Sequence, residues 1–152
     1  MSRSLKTSAA CASALGILLA CGGERPPAAA ASAAAFVAVG AWARAADSGA
    51  TTAAYLTVRN GTAVADTIVG VASDAAASTD LHESMESHGM MHMASLAAVP
   101  VAAGDSVVFA PMGKHVMLTG TTRGLAAGDT IALTLRFSSG RTLEVRAGVR
   151  QP

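Results

Sequence analysis

The stretch LHESMESHGMMHM, from Leu81 to Met93, holds three of the four histidines and four of the seven methionines in a chain of 152 residues. Apart from the initiator Met1, every methionine falls between Met85 and Met117, and every histidine between His82 and His115. Methionine used as core filler goes wherever packing leaves an irregular gap, so it should be scattered. Confined to one region beside imidazoles, it points to chemistry. Thioethers are soft and neutral and favour Cu(I), and imidazole accepts copper in either oxidation state. Calcium and magnesium prefer oxygen ligands, and zinc seldom takes methionine. Thioethers carry no proton to lose, so they stay available in acid, whereas imidazole must be deprotonated to bind a metal.

Strands can position such ligands, because residues two apart on a strand face the same side. In HVM, His115 and Met117 can turn together toward one metal while Val116 packs inward; Met91 and Met93 pair in the same way. His82 stands at the start of the segment that leads into the second pair. A four-ligand site assembled from neighbouring strands is geometrically reasonable. Met85, His88, Met90, Met91, His92 and Met112 are accessory candidates. For His88 and His92, four apart, the favoured reading is a solvated polar loop; the competing one is a second copper, as Cu(II), with Glu83 or Glu86.

The rest of the chain supplies strands. From Phe36 onward it offers FVAVGAWA, AAYLTVRN, DTIVGVAS, TDLHES, MHMASLAA, SVVFAP, HVMLTG, TIALTLRF and TLEVRAGVR, punctuated by RNGTA, AAGDS, GLAAGD and SSGR. Those breaks are rich in residues that accept turn geometry. Alanine favours helix by propensity, but periodicity decides for strand. In TIALTLRF, Ile131, Leu133 and Leu135 point one way and Thr130, Ala132, Thr134 and Arg136 the other. Short, regularly punctuated strands predict an all-β sandwich or barrel. With few aromatics, the core must be mostly Val, Leu, Ile and Ala, and no stacking platform for bases or sugars is offered.

The opening MSRSLKTSAACASALGILLAC begins with Arg3 and Lys6 and continues through a short apolar run, which reads as a secretory signal. The run is short of the roughly 20 residues needed to span a bilayer. It resembles a bacterial lipoprotein signal, cut before a cysteine that is then acylated. The expected organisation is a signal peptide over 1–20, a tether over 21–35 that starts at lipidated Cys21, and one domain over 36–152. The tether, GGERPPAAAASAAA after Cys21, reaches up to about 3 Å per residue where extended. Cleavage removes Cys11 and acylation consumes Cys21, leaving no thiol in the domain. That excludes an intradomain disulfide, a cysteine-ligated zinc site and a blue-copper centre. Removing Arg3 and Lys6 leaves nine basic against ten acidic side chains, a formal charge of −1, so no nucleic-acid partner is indicated.

His82, ten residues, Met93, twenty-one residues, His115, one residue and Met117 together reproduce the H-x10-M-x21-H-x-M pattern of the periplasmic copper chaperones of the PCu(A)C type. AWARAADSGATTAAYLTVRN resembles that family's opening strands, and AAGDTIALTLRFSSGRTLEV its closing ones. The resemblance implies a cupredoxin-like β-sandwich that binds Cu(I) at an exposed site through His82, Met93, His115 and Met117. It also implies a periplasm-facing lipoprotein of the bacterial cell envelope that delivers copper to the binuclear centre of cytochrome c oxidase. The implied partners are the copper-bearing oxidase subunit and a Sco-type thioredoxin-like protein. Two departures stand out: PMGKH has Met112 where the family commonly has a glycine, and the segment from Met85 to Met91 is richer in His and Met than the pattern requires.

Sequestration without a dedicated acceptor remains the alternative. A copper-dependent dismutase or oxidase is disfavoured by the soft ligands and the missing cysteine. HESME lacks the second histidine of a zinc-hydrolase helix, and no Ser-His-Asp grouping can be argued from spacing.

Overall fold

The computed structural model describes residues 35–151. The expected signal peptide, Cys21 and all but the last residue of the expected tether lie outside the described residues. Ten strands and no helix form among them: β1 (Phe36–Arg44), β2 (Thr52–Asn60), β3 (Asp66–Ala72), β4 (Ala76–Ser87), β5 (Met90–Ser95), β6 (Val99–Val101), β7 (Ser106–Phe109), β8 (Lys114–Thr121), β9 (Thr130–Phe137) and β10 (Thr142–Arg150). They hydrogen-bond in the order β5-β4-β8-β2-β1-β10-β9-β3-β6, with β7 also on β2. β1 and β10 run parallel; the other named pairs are antiparallel.

Alternation along each strand makes this a sandwich. Ala54, Leu56 and Val58 of β2, Leu81 of β4, and Val116 and Leu118 of β8 share one buried cluster with Ile68, Val71, Ile131, Leu133, Leu135, Val145 and Ala147 from β3, β9 and β10. Both halves of the sheet thus turn an apolar face to the same core, as period-two patterning requires. The fold is an all-β, cupredoxin-like β-sandwich. Ile131, Leu133 and Leu135 are buried, as their alternation predicts.

Nine strands were expected and a tenth, β6, appears in Val99-Pro100-Val101. Proline cannot donate to a ladder and is confined to edges, and β6 is the last strand of the sheet. β4 is also longer than the expected TDLHES, continuing to Ser87.

Within β1 the register slips between Val39 and Trp42, and Gly40 takes φ 64° at the slip. Such a bulge is easiest at glycine, which has no Cβ to clash in the left-handed region. A one-residue slip exchanges the faces. It sets Trp42 opposite Tyr55 and so delivers an aromatic ring to the outer face.

Candidate metal centre

Strand register builds the site. His82 of β4 lies directly opposite His115 of β8, and Asp80 opposite Met117. Ser84 lies opposite Met93 of β5. Directly opposed residues share a face, as do residues two apart. His82, Met93, His115 and Met117 therefore all project from the outer face of the sheet, away from the core. Val116, between His115 and Met117 in β8, is fully buried on the inner face.

The two imidazoles lie with ring centroids 6.0 Å apart at 42°. His115 is only 5% exposed, and its Nδ1 stands 3.0 Å from the carbonyl oxygen of Gly113. A carbonyl can only accept, so Nδ1 carries the proton and Nε2 keeps its lone pair for a metal. The same carbonyl accepts the Ser84 amide at 3.1 Å, which ties the ring's orientation to the β4–β8 junction. His82 shows the complementary feature: its Nδ1 is buried without any hydrogen-bond partner. Buried polar atoms are nearly always paired, and an orphan calls for a ligand, an ion or a catalytic role.

Met93, His115 and Met117 line an open recess of about 520 Å³, joined by Tyr55, Arg44 and Met112. His82 is not on its wall and adjoins the group through His115. Three of the four expected ligands thus share one cavity, and the fourth stands beside it, across from His115 in the neighbouring strand. A larger recess of about 780 Å³ is lined by groups such as Arg123, Glu144 and Arg146 and contains no histidine or methionine.

Met112 reaches the recess from a turn. The Gly113 amide bonds the Ala110 carbonyl at 3.1 Å, with Pro111 at the second position of the turn and Met112, at φ 67°, at the third. This is the pattern of a type II turn, whose third residue needs positive φ and is normally glycine. Met112 occupies it with its side chain 71% exposed, so packing does not explain its presence. Replacing Met112 by Gly should raise unfolding stability by about 1 kcal/mol, because relief of roughly 1–3 kcal/mol of backbone strain exceeds the 0.4–1 kcal/mol or so lost to a freer unfolded chain. Urea melts of both proteins would check this; an unchanged or lowered stability would show that any strain in the turn does not exceed the unfolded-chain term.

The accessory candidates divide. Met91 lies opposite Glu86 and shares the outer face with Met93. Met85 lies opposite His92, and Ser87 opposite Met90, on the other face. His92 is thus in β5, not in the polar loop that was the favoured reading, because the ladder continues to the tip. His88 is in the loop, but as half of a two-residue turn with Gly89, at φ 54° and 77°. Positive φ at both positions is the type I′ hairpin geometry. The His88 Nδ1 is 2.9 Å from the Ser87 hydroxyl. Glu86 and His92 face opposite ways, and Glu83 is paired with Lys114 at 2.7 Å. Among the described residues, no three His, Cys, Asp or Glu side chains converge on one metal position.

Sequence reasoning missed the aromatic wall. Trp42 and Tyr55 stack at 4.6 Å, and Tyr55 lies 6.5 Å from the His115 ring. Only the register of β1 on β2, set by the bulge, reveals this row. Asp66, its pKa lowered to about 2 chiefly by the Ser139 hydroxyl, and Asp129, its own lowered chiefly by the Ala126 amide, both serve turns at the other half of the sheet.

Comparison with known proteins places the fold and the family. A family model described as LpqE-like lipoprotein matches residues 26–149. A lipoprotein of Leifsonia xyli subsp. xyli, Lxx21020, is 41% identical over 114 residues, covering 72% of this chain and 66% of that protein, just under two thirds of its length. Among solved structures, a copper-bound PCuAC domain from PmoF2 superposes with TM-score 0.63 at 24% identity, covering 77% of this chain and 93% of that one. The Cu(I) form of DR1885 from Deinococcus radiodurans does so with TM-score 0.55 at 33% identity, covering 80% and 83%. The first of these likenesses carries the fold alone; with the family match over most of its length, the chain belongs to the LpqE-like lipoproteins, a family of the PCuAC type.

Proposed function

We propose that this protein is a copper chaperone of the bacterial cell envelope, binding Cu(I) through His82, Met93, His115 and Met117. One observation carries the reading: strand register puts two imidazoles and two thioethers on one outer face, with an orphaned ring nitrogen among them. The Cu(I) form of the Deinococcus relative supports it, and family membership supports a lipid anchor.

The chemistry suits carriage better than catalysis. Two soft neutral ligands and two imidazoles favour Cu(I) over Cu(II). His115, locked by the Gly113 carbonyl, is the fixed ligand. Met93, 55% exposed on the edge strand, is the labile one that an acceptor displaces first. Met112, on the rim of the same recess, offers a further thioether during that exchange. The proposed acceptor is the copper-bearing subunit of cytochrome c oxidase, with a Sco-type thioredoxin-like protein as companion.

The test is an anaerobic Cu(I) titration of the full chain in detergent against a chromophoric chelator, followed by X-ray absorption and then mixing with apo-acceptor. One ion held ahead of any other, with sulfur and nitrogen scattering and transfer on mixing, is expected. Several ions of similar affinity would defeat the single-site reading, and retention of the copper on mixing would favour sequestration.

A further inference from the structure

The β4–β5 hairpin outruns the sandwich. Along the inner face of β4, Leu81 is buried, Glu83 is half-buried and Met85 is exposed. The face that packs the core thus emerges into solvent toward the hairpin tip. Yet that overhang is not polar. It carries Met85, 48% exposed, and Met90, 60% exposed, with His92 between them in register.

Met85 and His92 are direct cross-strand partners, so their Cβ atoms stand about 4.5–5.5 Å apart. Met90 is two residues from His92 on β5 and hence diagonal to Met85, at about 7–8 Å, a span that long side chains close. A methionine has three rotatable bonds before its methyl group and adapts to such a gap. The surroundings offer little competition. Ser87 lies opposite Met90, Ala94 opposite Glu83, and the Glu83 carboxylate is engaged by Lys114. Two thioethers and one imidazole, without a carboxylate free to join them, select a soft monovalent cation over zinc, calcium or Cu(II).

We infer that Met85, Met90 and His92 form a second site for Cu(I) on the inner-face overhang of the hairpin, separate from the outer-face centre. It extends the copper reading above but rests on its own three residues. The same two strands then carry copper on both faces, Met93 and His82 serving one side and this triad the other. This also accounts for three of the five His and Met residues between Met85 and His92 that the principal site leaves unused.

Silver(I), closed-shell and resistant to oxidation, is the probe. The full chain, labelled with carbon-13 at the methionine methyls, is titrated in detergent and followed by NMR. The first binding event should shift Met93 and Met117, and a later one Met85 and Met90. In the triple variant Met85→Leu, Met90→Leu, His92→Gln, which keeps apolar area on exposed positions, the later event should vanish while the first is unchanged. Absence of any shift at Met85 and Met90, or a later event that survives the triple variant, would overturn the second site. Failure of the Met93 and Met117 shifts alone would instead overturn the principal centre and leave the triad standing.

Discussion

Replacing His115 and Met117 together by alanine is expected to lower Cu(I) affinity by at least about a hundredfold while leaving the domain folded. Loss of a mere outer-shell partner costs roughly 10–100-fold at a metal site, and on the proposed reading two direct ligands go at once. The fold should tolerate the change because both side chains project from the outer face, while the core contacts of β8 belong to Val116 and Leu118. The Gly113 carbonyl loses the imidazole donor but keeps the Ser84 amide, so it is not left unpaired. Competition with a chromophoric chelator measures the affinity, and a urea melt of the same sample monitors the fold. Retained tight binding in a folded double variant would move the principal site to the His and Met cluster of the hairpin. Loss of the fold would show that His115 supports the sheet as well as the metal.

Much of the fold is legible in the sequence, for a physical reason. Period two is a local property, so TIALTLRF and HVM reveal which side chains face together, and ligand softness is a property of residue type alone. What stayed hidden depends on pairing between distant segments. Trp42 reaches the face of Tyr55 only because β1 slips at Gly40; the isolated glycine in FVAVGAWA permits a bulge, but only pairing with β2 shows which residues change face. Met85 and His92 part from Met93 because Ser84, not Met85, lies opposite Met93. β6 was lost to Pro100, which argues against a strand everywhere except at an edge. The tip of β4 was lost because Met85-Glu86-Ser87 has little intrinsic β preference; pairing with β5 holds it extended.

The alternation in β8 also separates stability from binding, which makes Leu118→Ala the counterpart of the double ligand variant. Leu118 is fully buried, next in sequence to Met117 but on the opposite face, in register with Thr52 and Thr79. Its truncation should cost about 2–5 kcal/mol, the lost transfer free energy plus the cavity left behind, a large part of the roughly 5–15 kcal/mol that holds a typical domain together. The four proposed ligands on the outer face remain in place. The proposed site is assembled from three strands and would bind copper only in the folded form, so free Cu(I) at a thousand times its dissociation constant should return about 4 kcal/mol. The variant is therefore expected to melt early without copper and to recover most of the lost stability with it, whereas the His115 and Met117 double variant should melt near the parent and gain little. Urea melts of both proteins, with and without buffered Cu(I), set the two responses side by side. If copper failed to rescue Leu118→Ala although the parent binds it tightly, the two faces of β8 would be mechanically coupled, and core packing would be part of what holds the ligands in position.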